Sequence, residues 1–124
     1  MKVLALDYGS ARTGIAVSDP TGTVARPAGT VERVSSDAGF ARLVALIGEE
    51  APGLVVVGMP LTLRGEHGRQ ARETTAFVER LRAAVAVPVE TYDERFTSVL
   101  AEGDDARAAA HLLSSFLEWQ SAGS

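Results

Sequence analysis

Cysteine is absent from the 124 residues. That excludes disulfides, zinc–thiolate sites and cysteine nucleophiles, and it fits a cytoplasmic location. No apolar run is long enough to cross a bilayer, and the opening "MKVLALDYG" breaks off too soon for a signal peptide, so no membrane association is expected. Histidine is scarce. His67 and His111 lack a ligand partner at helical spacing, and both read as structural or solvent-facing. Ser10, Thr97 and Ser98 have no evident histidine base for a nucleophilic triad, and neither GxGxxG nor a Walker A pattern occurs. Lysine is nearly absent as well: Lys2 is the only one among 12 basic residues, and the rest are arginine. Guanidinium suits bidentate phosphate recognition, although codon bias in a GC-rich genome produces the same skew. The net charge of −4 argues against simple electrostatic coating of nucleic acid. Metal ions bound by some of the carboxylates would soften that argument.

What is present fits one compact domain spanning residues 1–124, since the length hardly allows two. Lys2 to Leu6 reads as a strand ending at Asp7. "TGIAVSD", Thr13 to Asp19, alternates and reads as its antiparallel partner across the turn "YGSAR". A poorer third strand is expected between Thr23 and Val34, interrupted by Pro27 and Gly29. Ser35, Ser36 or Asp37 caps a helix with Phe40, Leu43, Val44 and Ile47 on one face, ended by Pro52-Gly53. "LVVVGMP", Leu54 to Pro60, is continuously apolar, as a strand buried on both faces would be. A helix follows from about Arg69 to Ala84, with Thr74, Phe77, Val78 and Leu81 inward and Arg69, Arg72 and Arg80 on the opposite face. Val87 to Asp93 is a short strand ending in acid. A last helix starts near Asp104 or Asp105 and buries Ala109, Leu112, Leu113 and Phe116. The order β-β-β-α-β-α-β-α implies an α/β fold. Its mixed five-stranded sheet has three antiparallel strands, then parallel crossovers, with helices on its faces.

In such sheets ligands gather at the carboxyl ends of parallel strands, near a topological switch. Asp7 and Asp93 both end strands of that kind and should face the same edge. Asp7, Asp93 with Glu94, and Asp104 with Asp105 are far apart in sequence, yet each marks an element boundary. Clustered carboxylates without His or Cys suit Mg²⁺ or Mn²⁺, and two such ions serve phosphodiester cleavage. Each acid also has a plainer reading. Asp7 fits a turn residue, Asp104 and Asp105 fit a helix cap, and Asp93-Glu94-Arg95 fits a surface ion pair. Asp19 fits the opening of the Pro20 turn better than a metal ligand. Glu66 fits a solvated loop residue.

The motifs "LALDYGSARTGIAVSD", "VVVGMPLTLRGEHGRQARETTAFVERL", "VETYDERFTS" and "DARAAAHLLSSFLE" resemble, in order, those of the YqgF/RuvX family over nearly the whole chain. That resemblance implies the ribonuclease H-like fold and a kinship with RuvC-type Holliday-junction resolvases. It implies a bacterial cytoplasmic nuclease, assigned to maturation of the 5′ end of 16S ribosomal RNA or, in some members, to cleavage of branched DNA. The expected partners are therefore RNA or branched DNA and pre-ribosomal particles. On the resemblance, the catalytic and metal-holding acids are Asp7, Asp93 and Asp105, and Arg12 and Arg95 match motif arginines that hold phosphates. Gly9 and Gly14 match glycines of the turn and close approach. Arg64, Arg69 and Arg72 are further candidates for guiding the nucleic-acid backbone, with a solvated helix face as the alternative. One departure stands out. Between "DERFTS" and "DARAAA" only "VLAEGD" remains where the family carries a longer, partly helical, basic segment. The shortening bears on substrate choice and dimer contacts more than on the acids.

Two rivals remain. A sugar-kinase-like phosphotransferase shares an Asp-x-Gly hairpin but needs two such domains, which this length does not supply. A non-catalytic nucleic-acid-binding module fits the acidic charge and the shortened segment, but not the retained acids. A junction resolvase needs two sites, so a homodimer is the state that activity would demand.

Overall fold

The computed structural model describes residues 1–59, 69–93 and 105–122. Five strands form one sheet: β1 (Val3–Asp7), β2 (Arg12–Ser18), β3 (Ala25–Glu32), β4 (Leu54–Met59) and β5 (Val89–Asp93). Three helices complete the described elements: α1 (Asp37–Glu50), α2 (Arg69–Ala84) and α3 (Asp105–Ala122). The spatial order is β3-β2-β1-β4-β5. β1, β2 and β3 pair antiparallel, while β4 runs parallel to both β1 and β5. β1 is therefore the strand at which the sheet changes sense.

Side chains alternate across a strand, so each strand serves two cores. Leu4 and Leu6 of β1 pack with Ile15, Val55, Val57, Phe40, Phe77 and Leu81, under α1 and α2. Val3 and Ala5 pack with Ala16, Val56, Ala109, Leu112 and Phe116, under α3. This double demand is why β4 is apolar throughout: all six of its residues are buried. Among the described elements α3 alone covers its face, through Ala109, Leu112, Leu113 and Phe116, the stripe its spacing predicts.

Three boundaries carry local reasons. Ser36 caps α1, its hydroxyl accepting from the Gly39 N–H at 3.1 Å. A side chain at Gly39 would be impossible there, since a Cβ would lie 2.0 Å from the Arg33 carbonyl oxygen. α1 ends just ahead of Pro52-Gly53, as expected: Glu50 is its last residue, and the cap, Ala51, takes a left-handed conformation and donates its N–H to Ile47 O at 3.0 Å. β5 begins at Val89 rather than Val87, where Arg82 of α2 donates to the Val89 carbonyl at 3.0 and 2.9 Å.

Candidate active site at the carboxyl edge of the sheet

β1, β4 and β5 run the same way, so their carboxyl ends share one edge. Asp7 ends β1 opposite Gly14 of β2, and Asp93 ends β5 opposite Met59 of β4. One strand lies between them, which sets the two backbones about 10 Å apart. Asp7 is half-buried and Asp93 is exposed. The shared edge agrees with the sequence expectation, but the pleat adds a distinction. Asp7 is in phase with Val3 and Ala5, on the α3 face. Asp93 is in phase with Val89, whose side chain belongs to the α1/α2 core. The strand period therefore assigns the two carboxylates to opposite faces of one edge.

The helix that the third acid opens, α3, lies on the Asp7 face. Asp105 opens α3, four residues before Ala109, which is fully buried beneath the helix. Residues Leu117, Glu118 and Ser121 of α3 adjoin Gly22 and Thr23 in the β2–β3 turn, at the opposite edge. Earlier residues, Arg107 to Ser114, adjoin Pro27 in mid-strand. The helix thus descends from the carboxyl edge, and its first turn belongs to the edge where Asp7 lies. Among the described residues no three His, Asp or Glu side chains converge as a ready-made metal cage.

Among the described arginines, Arg12 is the best placed. It is exposed at the start of β2, two residues before Gly14, and so shares the pleat phase of Asp7's strand partner. The connection from Asp7 to Arg12 is tight: a Cβ on Gly9 would fall 2.3 Å from the Arg12 carbonyl oxygen, so glycine is required there. Arg72 is exposed on α2, and the backbone of Arg69 opens that helix. Arg64, Arg95, Glu66, His67, Glu94 and Asp104 lie outside the described residues, as does "VLAEG". His111 is exposed on α3. Asp19 is a turn residue, as expected. It accepts the Thr21 hydroxyl and the Thr23 and Val24 N–H groups, the latter two at 2.7 and 2.8 Å. Those donors hold its carboxyl far below the usual carboxylate range.

Sequence reasoning missed a second feature of the same edge. Tyr8, one residue past Asp7, turns to the opposite face and packs on Phe77 of α2, with ring centroids 4.8 Å apart. Burial, and then the Glu73 carboxylate, push its phenol above the ordinary value. Arg80, placed on the solvent side by helical period, folds back over the Phe40 ring at 4.0 Å and donates to Asp37 at 3.0 Å. The available signal was the phase of Tyr8, opposite to that of Asp7.

Three comparisons bear on this arrangement. A family model described as RuvX, Holliday junction resolvase, matches residues 1–119. A "Putative pre-16S rRNA nuclease" of Chloroflexus aurantiacus is 44% identical over 100 residues, covering 81% of this chain and 65% of that protein. One of the same description from Oleidesulfovibrio alaskensis is 44% identical over 109 residues, covering 88% and 75% of the two chains. Thermus thermophilus RuvC in complex with a Holliday junction substrate superposes with a TM-score of 0.63 at 17% identity, over 98% of this chain and 96% of that one. At that identity the likeness shows the fold, which is the ribonuclease H-like arrangement expected from the sequence. The match across residues 1–119, together with relatives of this identity, shows that the chain belongs to the RuvX family of Holliday junction resolvases.

Proposed function

We propose that the chain, as one ribonuclease H-like domain over residues 1–124, is a nuclease that hydrolyses phosphodiester bonds. Its favoured substrate is the 5′ end of precursor 16S ribosomal RNA, met in the cytoplasm on pre-ribosomal particles. The observation that carries this reading is the edge itself. Asp7 ends the strand where the sheet changes sense, Arg12 is in phase with it, and α3 begins on the same face. The names of the Chloroflexus and Oleidesulfovibrio relatives support the RNA substrate.

The donor chemistry fits hard divalent cations: the candidate ligands are carboxylate oxygens, and Asp7 is half-buried beside the apolar α3 core. Asp7, Asp93 and Asp105 would hold one or two Mg²⁺ or Mn²⁺ ions. When bound, such ions supply Lewis-acid stabilisation of phosphoryl oxygens and make water acidic enough to attack at neutral pH. Arg12 and Arg95 hold non-bridging phosphate oxygens and set the register of the strand. Arg64, Arg69 and Arg72 draw the backbone toward the edge. The opposed phases of Asp7 and Asp93 leave Asp7 as the acid on the α3 face and Asp93 as the one that must reach round the strand end.

A second reading, resolution of four-way junctions, is favoured by the RuvC likeness and would require a homodimer. The test is cleavage of single-stranded RNA, a precursor 16S 5′ end and a four-way junction side by side, each with Mg²⁺ and with Mn²⁺. The precursor should be cut best and the Asp7→Asn protein should cut nothing. Equal cleavage by Asp7→Asn sinks the site assignment, and preference for the junction replaces the first reading with the second.

A further inference from the structure

A cleft opens on the α1/α2 side of the edge, with a volume of about 450 Å³. Tyr8 and Ser10 come from the β1–β2 connection, Ser35 from the β3–α1 connection, and Glu73, Phe77 and Arg80 from α2. The volume falls within the usual range for small-ligand sites. The aromatic pair Tyr8–Phe77 offers a ring surface, and hydroxyl, carboxylate and guanidinium groups ring it. Arg80 is held at the rim from two sides, by Asp37 and by the Ser35 carbonyl, to which it donates at 3.3 Å. The Arg80 guanidinium is thus held at the rim rather than free to collapse inward.

We infer that this cleft receives one nucleobase of the nucleic-acid strand whose phosphate lies at Asp7. This deepens the nuclease reading and rests on it. The geometric reason is the pleat. Asp7 and Tyr8 are consecutive residues at the end of one strand and address opposite faces, so a strand crossing the edge at Asp7 brings a neighbouring nucleoside over Tyr8. An aromatic surface flanked by hydrogen-bonding groups is the chemistry that recognises an unstacked base of a single strand. A base swung into the cleft would fix which phosphodiester bond lies at the acids, and so would choose the cut site.

The test uses a single-stranded oligonucleotide in RNA and DNA versions, each walked with one abasic position at a time. Binding is measured with the Asp7→Asn protein, which should leave the cleft intact. One abasic position should weaken binding about tenfold, in line with the worth of one stacked base. Tyr8→Leu should weaken binding of the intact strand by the same factor and become insensitive to that position. Ala76→Leu, which adds bulk at an exposed α2 position lining the cleft, should do likewise without disturbing the core. An effect with RNA alone, or with both strands equally, tells whether the sugar is read as well as the base. Uniform loss at every abasic position, or none, with either strand overturns the inference even if cleavage is intact. A single sensitive position, in a chain whose wild type cuts none of the substrates, supports the cleft and sinks the nuclease reading instead.

Discussion

The two edges of the sheet are built differently. The amino edge closes on itself. Ser18 accepts the Val3 N–H at 2.7 Å, Asp19 gathers three local donors, and Lys2 pairs with Glu50 at 2.7 Å. The carboxyl edge draws instead on separate elements: Asp7 from β1, Arg12 from β2, Asp93 from β5, and the start of α3. Acids at the two ends of one hairpin thus do different work. Asp19 is committed to its own turn, whereas Asp7 stands where distant parts of the chain meet. Proximity to a hairpin does not by itself mark a functional acid; the strand ends that gather around it do.

If that contrast holds, changes at the carboxyl edge should damage cleavage and spare stability, and changes at the amino edge the reverse. Asp7→Asn should show the largest effect, a loss of about a thousandfold or more in cleavage rate with a thermal midpoint close to wild type. A cleavage assay beside a melting curve reads both. Arg12→Gln should weaken nucleic-acid binding at low salt and lower the slope of log affinity against log salt by about one, read from titrations at several ionic strengths. Asp19→Ala should lower the midpoint at pH 7 and leave cleavage unchanged. The folded Asp19 carboxyl is depressed, so its contribution is present above the ordinary carboxylate range near pH 4 and is lost as pH falls below it. Wild type and Asp19→Ala melts should therefore converge in acid. Lys2→Gln removes a part-exposed ion pair, costs at most about 1 kcal/mol in urea unfolding, and should not touch cleavage.

Much of this was legible before the fold. The apolar run from Lys2 to Leu6 and the alternation of Thr13 to Asp19 across "YGSAR" announced the hairpin, and the continuous run at Leu54 announced a strand with two covered faces. The stripe Ala109, Leu112, Leu113, Phe116 announced the face of α3. Other features depend on tertiary context. The stop of α1 before Pro52-Gly53 was legible, but the left-handed cap at Ala51 was not, because an alanine in that conformation carries no local signature. Helical period sets the direction of a Cβ but not the path of a long side chain, so Arg80 was read as outward when its guanidinium lies over Phe40 of another helix. The opposed phases of Asp7 and Asp93 follow only once each strand's faces are tied to particular helices. The family's motifs offered these acids as candidates, and the pleat separates the directions of Asp7 and Asp93.

The irregularity in β3 has a consequence for assembly. Ile15 pairs with Gly29 and Ala16 with Pro27, so β3 carries one extra residue, Ala28, against β2, its neighbour among the described strands. Pro27 has no N–H, and the bulge breaks the repeat beside it. The outer rim of β3 therefore offers an incoming strand an interrupted ladder. Extension of the sheet past β3 by a second copy of the chain is therefore disfavoured.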